Sequence, residues 1–192
     1  MKPAQPTIDV LIAAAAWTRA LPSVAAVCRK AARAAWASGA PATVKRLGPA
    51  AEVSIALTTD AAIRKLNAAY RKKDKPTNVL SFPADDAAAL GGSVGLILGD
   101  VVIAYGTVVR EAREARKSLK NHLSHMVVHG VLHLLGYDHE TAPDAETMES
   151  LETKILSKMG VPDPYSDTGE KPARVKATRT RAARPRGVRR KT

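Results

Sequence analysis

The stretch HGVLHLLGYDH, at positions 129–139, limits the possible folds and functions of this chain more than any other. It lies at the end of a long apolar run with helical spacing. His129 and His133 are four residues apart, so on a helix their rings project from one face about one turn (~5.4 Å) apart. Gly136 can adopt a left-handed conformation, which ends the helix and returns the chain towards it. We therefore expect His139 to lie beside the other two histidines.

Three converging imidazoles predict a metal site. Each ring nitrogen can bind a divalent metal at about 2.0–2.1 Å. Structural zinc sites use four protein ligands, whereas three ligands with an open fourth position are typical of catalytic zinc. Zinc is the metal that we expect, although three imidazoles also suit nickel or copper.

The two remaining histidines are not expected to bind this ion. His125 lies one turn before His129, but it is eight residues from His133, or about 12 Å along a helix axis. We interpret His125 as a buried packing residue or as a residue that supports a ligand. We interpret His122 as a helix-face residue.

The same ligand spacing, H-x-x-x-H-x-x-G-x-x-H, occurs in metzincin proteases. In those enzymes a glutamate directly follows the first histidine and acts as the general base. Here that position is Gly130, which disfavours peptide hydrolysis. Zinc can lower the pKa of a bound water to about 7, so hydrolysis of another bond needs no carboxylate base.

The histidine block also matches, at every fixed position, the H-G-x-L-H-L-x-G-Y-D-H signature of a bacterial family. A second block, formed by Leu66-Asn67 and YRKKDKPTNVLSFP at positions 70–83, fits the same family. Two further segments also fit: Leu98-Gly99-Asp100 and the stretch from Met148 to Gly160. The sequence thus resembles the YbeY family of zinc-dependent endoribonucleases, the rRNA maturation factors. The resemblance runs from about residue 8 to residue 165.

The resemblance implies an α+β fold: a compact, zincin-like single domain whose metal-bearing helix is followed by a glycine turn. It implies cleavage of single-stranded RNA in 16S rRNA 3′-end maturation and in ribosome quality control. Its partners would be ribosomal RNA, the small ribosomal subunit and a protein of that subunit. By motif position, His129, His133 and His139 would hold one zinc ion per chain, and Arg71 and His129 would be catalytic.

Arg71 has two possible roles. RNA cleavage builds negative charge on a phosphorane-like transition state, and a guanidinium offers forked donors that match phosphate oxygens. Alternatively, Arg71 and the lysines at positions 72, 73 and 75 form a solvated helix end that complements the helix dipole. Composition alone favours the second role, and the match of the whole block favours the first.

Other residues near these blocks remain ambiguous in the sequence. Asp138 either supports a ligand imidazole or forms the turn before His139. Asp100 is either a buried anchor beneath Arg71 or an edge residue that faces a partner. Phe82 could stack on an RNA base, but an apolar strand favours a core position for it.

Periodicity predicts strands at 7–12, 52–57, 79–82 and 96–104, and helices at 24–37, 60–73, 107–117, 119–135 and 141–158. Residues 85–94 contain two glycines and no periodicity, which predicts a loop. These elements predict a small mixed sheet with helices packed against it, and the pattern does not supply the strand order.

The chain has 192 residues and a net charge of +12. Residues 166–192 contain ten Lys or Arg and two acidic residues, which puts two-thirds of the excess charge in this segment. We expect a folded domain over 1–165 and a disordered basic tail over 166–192, because the tail has too little apolar content to fold. This charge suggests a polyanionic partner without choosing between RNA, DNA and an anionic membrane.

The single cysteine, Cys28, excludes an intramolecular disulfide framework and favours a reducing compartment. The longest apolar stretch, residues 10–17, is far shorter than the roughly 20 residues that span a bilayer. We therefore expect a cytoplasmic protein without a membrane partner, whose oligomeric state the sequence leaves open. A ribosome-assembly binding factor with a structural zinc, and a metallopeptidase-like hydrolase, are the alternatives to a ribonuclease.

Overall fold

The computed structural model describes residues 5–41, 51–84 and 96–166. The strands are β1 (Thr7–Ile12), β2 (Ala51–Thr58), β3 (Val79–Pro83) and β4 (Leu96–Ala104). The helices are α1 (Ala16–Ala20), α2 (Val24–Gly39), α3 (Asp60–Arg71), α4 (Tyr105–Glu114), α5 (Leu119–Leu134) and α6 (Ala142–Lys158). The predicted strands and helices are confirmed to within a few residues, and α1 was not predicted. The predicted loop at 85–94 and the basic tail after Ser166 lie outside the described residues.

The strands form one mixed sheet in the order β1-β2-β4-β3. β1, β2 and β4 are parallel, and β3 pairs antiparallel with β4 at one edge. In this register Ser81 lies opposite Val101, and Phe82 lies opposite Asp100. The predicted α+β class with a small mixed sheet is therefore confirmed.

The two faces of the sheet have different cores, because successive side chains of a strand point in opposite directions. On one face, Val101 and Ile103 of β4 belong to the large core formed with α1, α2, α5 and α6. On the other face, Val102 and Ala104 belong to a smaller cluster beneath α3. Helices α3 and α5 therefore pack on opposite faces of the sheet.

The large core confirms several predictions from the sequence. Trp17 and Trp36 are buried in it, as expected for residues that pack helices. Cys28 is also fully buried, and this burial raises the pKa of its thiol to about 12. Within the described ranges, no helix has the length and the apolar character needed to cross a membrane.

Gly130 allows α5 to lie unusually close to the sheet. A Cβ atom at this position would be 2.5 Å from Val101 Cγ1 and 3.3 Å from Ser81 Oγ. The Ser81 hydroxyl donates a hydrogen bond to the Gly130 carbonyl oxygen at 3.1 Å. The edge strand β3 is thereby joined to the turn of α5 that contains the first histidine of the motif.

Helix ends follow the capping signals in the sequence. Ser118 caps α5 by accepting a hydrogen bond from Asn121 N at 3.1 Å, and Thr141 caps α6 by accepting one from Asp144 N at 3.3 Å. Gly136 follows α5 with a φ of 94°, a conformation that favours glycine. The chain therefore reverses between α5 and α6, which brings residues 137–141 back over the end of α5.

Candidate metal centre

The three histidines of the motif converge on one point. One ligand atom from each of His129, His133 and His139 can be chosen so that all lie within 4.8 Å of one another. The Nε2 atoms of His129 and His133 are 3.1 Å apart. Two nitrogens that bind one tetrahedral zinc at about 2.0–2.1 Å would be separated by about 3.3 Å. The arrangement therefore has the dimensions of a metal site.

Hydrogen bonds to the other ring nitrogens orient two of these ligands. His129 Nδ1 lies 2.8 Å from Glu152 Oε1, and His133 Nδ1 lies 3.0 Å from the Tyr137 carbonyl oxygen. Both partners are acceptors, so we assign the ring proton to Nδ1 in each histidine and the lone pair to Nε2. Two lone pairs 3.1 Å apart cannot hydrogen-bond to each other. A shared cation between them satisfies both, so this donor set fits a metal ion.

The environment keeps His133 and His139 neutral, which is the form of histidine that binds metals. Burial, together with the neighbouring His129 and His139, lowers the pKa of His133 to about 3. Burial and the neighbouring His129 also lower the pKa of His139. No proton therefore has to be displaced from either ring at neutral pH before a metal can bind.

The loop after α5 holds the third ligand. Tyr137 N donates to the Leu132 carbonyl oxygen at 3.0 Å, and the Tyr137 hydroxyl donates to the Gly39 carbonyl oxygen at 3.1 Å. Asp138 Oδ1 accepts a hydrogen bond from His139 N at 2.7 Å. Of the two roles that the sequence left open for Asp138, the structure shows the turn-forming one.

Glu152 is the main residue near the site that the sequence analysis missed. Its side chain is fully buried, and it accepts hydrogen bonds from His129 and from His125 Nε2, the latter at 3.1 Å. Burial raises the pKa of this carboxyl, but the neighbouring His129 and the two histidine hydrogen bonds outweigh that effect and lower it. A signal was present in the sequence, because Glu152 interrupts the apolar phase of α6 between Met148 and Ile155.

The two histidines outside the ligand set are both paired with carboxylates. His125 contacts Glu152, which agrees with its interpretation as a residue that supports the site. His122, interpreted as a helix-face residue, is instead buried, and its Nε2 lies 2.9 Å from Glu111 Oε2. Asn78 Nδ2 donates to the same carboxylate at 3.1 Å. This second pair joins α5 to α4 and to the residue before β3.

Arg71 belongs to α3, the helix that packs on the sheet face opposite to α5. It is the last residue of α3, where Lys72 follows with a left-handed φ of 58°. The Arg71 side chain is half-buried, and burial lowers the pKa of its guanidinium, which stays charged at neutral pH. The structure brings the three histidines together, whereas Arg71 ends a helix that packs on the other face of the sheet.

The structure bears on the alternatives that the sequence left open for Asp100 and Phe82. Asp100 is exposed, so it is not a buried anchor beneath Arg71. Phe82 is half-buried, and its ring packs edge-on against Tyr70 with the centroids 5.1 Å apart. Tyr70 itself is 51% exposed, so this end of α3 presents aromatic and basic groups together.

Comparisons with known proteins agree with the histidine geometry. The family model described as Endoribonuclease YbeY matches residues 26–160. Endoribonuclease YbeY of Bradyrhizobium diazoefficiens is 48% identical over 167 residues, covering 86% of this chain and 88% of that protein. Endoribonuclease YbeY of Rhodopseudomonas palustris strain HaA2 is 49% identical over 169 residues, covering 85% of this chain and 84% of that protein.

Solved structures also include a protein that is similar to this chain. The solution structure of TM1509 from Thermotoga maritima is 23% identical, with a TM-score of 0.47 over 86% of this chain and 100% of that chain. The family rests on the sequence matches, and the range of the family model contains the histidine motif, the Arg71 block and all of α6. On that evidence the chain belongs to the YbeY family.

Proposed function

We propose that this protein is a metal-dependent endoribonuclease that cleaves single-stranded RNA during 16S rRNA 3′-end maturation and ribosome quality control. The main support is the convergence of His129, His133 and His139, each with one ring nitrogen within 4.8 Å of those of the other two. The relatives named Endoribonuclease YbeY supply the substrate class. Three ligands leave a coordination position open for chemistry, as expected of a hydrolytic rather than a structural site.

Zinc, one ion per chain, is the metal that we propose for this site. All three ligands are neutral nitrogens, a donor set that suits zinc, and the carboxylate of Glu152 lies just behind one of them. Zinc bound there would supply Lewis-acid stabilisation of charge on the scissile phosphate. The protein's own contribution is to hold the three rings in place before RNA arrives.

Arg71 is the proposed catalytic partner of the histidine centre, together with His129. Its forked guanidinium can donate two hydrogen bonds to phosphate oxygens as charge accumulates on them. Helices α3, which Arg71 ends, and α5 lie on opposite faces of the sheet, and the short strand β3 forms one edge of that sheet. An RNA strand that crosses this edge would contact the aromatic and basic end of α3 on one side and the histidines on the other.

The geometry gives no support to peptide hydrolysis. Gly130, which occupies the position of the metzincin base, faces Val101 in the sheet rather than the ligand atoms. The nearby carboxylate of Glu152 accepts from His129 Nδ1, on the opposite side of the ring from Nε2. Neither Gly130 nor Glu152 therefore places a carboxylate base on the open side of the site.

The wider setting follows from the substrate. We propose ribosomal RNA and the small ribosomal subunit as partners, with a small-subunit protein as a further contact, and the cytoplasm as the location. The basic segment 166–192 would act as a non-specific arm for RNA, since its ten Lys or Arg residues suit a polyanion.

Metal analysis of the purified protein, together with cleavage of an rRNA 3′ precursor, tests this function. We expect about one zinc per chain, and loss of cleavage in His133→Ala and after chelation. Arg71→Ala should retain zinc and lose cleavage. Arg64→Ala is a matched control on the same helix, because Arg64 is exposed and paired with Asp74 at 2.7 Å. Full cleavage by a zinc-free preparation without added metal would contradict the proposal.

The same variants separate this function from a binding factor with a structural zinc. A catalytic site predicts that His133→Ala remains folded and binds RNA without cleaving it. A structural site predicts that His133→Ala unfolds the domain, which circular dichroism would detect. Cleavage of unstructured proteins, with no cleavage of RNA, would instead favour a peptidase.

A further inference from the structure

Glu152 is a fully buried carboxylate that accepts hydrogen bonds from three side chains. Its Oε1 accepts from His129 Nδ1 at 2.8 Å, and its Oε2 accepts from His125 Nε2 at 3.1 Å and from the Tyr165 hydroxyl. The two histidines lie on α5, whereas Tyr165 lies in residues 161–166, which follow α6 and are called here the C-terminal segment. Donors on several sides leave this carboxylate a single orientation.

The C-terminal segment is itself anchored, so the Tyr165 hydroxyl has a defined position. Tyr165 N donates to Asp163 Oδ1 at 2.9 Å, and Thr153 Oγ1 of α6 donates to the same oxygen at 3.2 Å. Lys117, just before α5, donates to the Pro164 carbonyl oxygen at 2.5 Å. These contacts join the C-terminal segment to α6 and to Lys117, which lies just before α5.

The orientation of Glu152 determines the orientation of a metal ligand. His129 can rotate about its side-chain bonds unless its Nδ1 proton is held, and Glu152 Oε1 is the acceptor that holds it. With Nδ1 bonded there, Nε2 points towards Nε2 of His133. Partners of this kind fix the tautomer of a ligand imidazole and raise its basicity.

We propose that Tyr165 and Glu152 are positioning residues of the metal centre: Tyr165 holds the Glu152 carboxylate, and Glu152 orients His129 towards the metal. The pair thereby raises the affinity of the three-histidine site for a divalent cation. This inference rests on the metal-binding role proposed above for His129, His133 and His139.

A purely structural role does not require these functional groups. Phenylalanine at position 165 would preserve the ring, whose centroid lies 5.6 Å from that of His125. An apolar residue at position 152 would fill the interior without the cost of burying a charge. The hydroxyl and the carboxylate are needed for the hydrogen bonds that lead from Tyr165 through Glu152 to the ring of His129.

Zinc affinity, measured by competition with a chromophoric chelator at fixed pH and without RNA, tests the proposal. Glu152→Gln should weaken zinc binding by about 10- to 100-fold. Tyr165→Phe, which removes one oxygen atom, should weaken it by about 10-fold. Because Tyr165 acts through Glu152, the double variant should bind zinc no more weakly than Glu152→Gln alone. Tyr105→Phe is the control, since the Tyr105 ring packs against Trp17.

The visible spectrum of bound Co²⁺ is a second readout, which a purely structural role would not change. We expect Tyr165→Phe to shift the Co²⁺ bands and Tyr105→Phe to leave them as in the parent protein. Parent-like affinity in Tyr165→Phe, or losses that multiply in the double variant, would overturn the proposal. If Glu152→Gln does not fold, the comparison of Tyr165→Phe with Tyr105→Phe decides alone. Absence of RNA cleavage by the parent protein would contradict only the ribonuclease function.

Discussion

Gly130 affects both the packing of α5 on the sheet and the reactions that the site can support. Its Cα faces Val101 so closely that a side chain has no room, because a Cβ would lie 2.5 Å from Val101 Cγ1. This close approach joins α5 to the sheet beside His129. The residue at the position of the metzincin general base therefore packs against the sheet here. A glutamate placed at 130 would point into the core.

We expect Gly130→Ala to lower the free energy of unfolding by about 1–2 kcal/mol, as overpacking of the core outweighs the better helix propensity of alanine. Urea denaturation measures this loss. The double variant Gly130→Ala/Val101→Ala should be less destabilised than the sum of its single variants, because the new methyl group enters the space vacated by Val101. Strictly additive effects would show that the close contact is not the cause.

Cys28 provides a pH-dependent test of the core. Burial raises the pKa of its thiol from an ordinary value of 9.0 to about 12 in the folded protein. Well below pH 9 the thiol keeps its proton in both the folded and the unfolded protein, so its ionisation does not reduce the free energy of unfolding. Between pH 9 and 12 only the unfolded state loses it, so the unfolded state binds fewer protons and stability falls as pH rises.

From pH 8 to pH 10 the parent protein should lose about 1.4 kcal/mol more unfolding free energy than Cys28→Ala. All other titrating groups are shared by the two proteins, so urea denaturation of both at each pH isolates the thiol. Equal losses in the two proteins would mean that Cys28 ionises in the folded state as easily as in the unfolded chain.

At the scale of single residues, the sequence predicted the ligands but not what orients them. His129, His133 and His139 lie within eleven positions, so helical spacing and one glycine turn were sufficient to predict their convergence. Glu152 comes from another helix, and the approach of α6 to α5 is a tertiary contact without a local signal. Only its place in the apolar phase of α6 hinted at a buried role.

At the scale of whole elements, boundaries were predictable where a capping residue or a glycine marks them. Thr59, Ser118 and Thr141 cap the starts of three helices, and Gly136 and Gly160 follow the ends of two. The five-residue helix α1 has no side-chain cap, so the sequence contained no signal for it. The strand order depends on pairings across the chain, which periodicity does not specify.

The end of α4 was misplaced for a reason that can be tested. Helical spacing predicted a helix to Lys117, but α4 ends at Glu114 and Arg116 adopts a left-handed φ of 52°. Lys117 N then donates to the Ala112 carbonyl oxygen at 2.8 Å. A side chain disfavours this conformation by roughly 1–2 kcal/mol, whereas glycine adopts it freely.

We therefore expect Arg116→Gly to raise the free energy of unfolding by about 0.5 kcal/mol, after the added flexibility of the unfolded chain is subtracted. Arg113→Gly is the matched control, since Arg113 is exposed within the same helix and glycine should cost about 1 kcal/mol there. Urea denaturation of both variants checks the opposite signs. A loss of stability in both would refute the assignment of strain to Arg116.

At the scale of the molecule, the proposed catalytic groups come from opposite faces of one small sheet. The histidines belong to the face with the large core, and Arg71 ends the helix on the other face. Strand β3, with five residues, forms one edge of this sheet. This arrangement suits an extended, single-stranded substrate, which can bend over an edge, better than a rigid duplex.

We propose that the basic tail makes a second, separable contribution to RNA binding. Residues 168–192 contain ten Lys or Arg and one acidic residue, although they lie beyond the described part of the chain. Deleting them should lower the log–log salt dependence of single-stranded RNA affinity by about 0.7 for each phosphate that they neutralise. Turnover at saturating RNA should stay nearly constant, because the histidines and Arg71 precede the deletion. Binding titrations at several salt concentrations measure the slope, and an unchanged slope would show that these residues do not contact RNA.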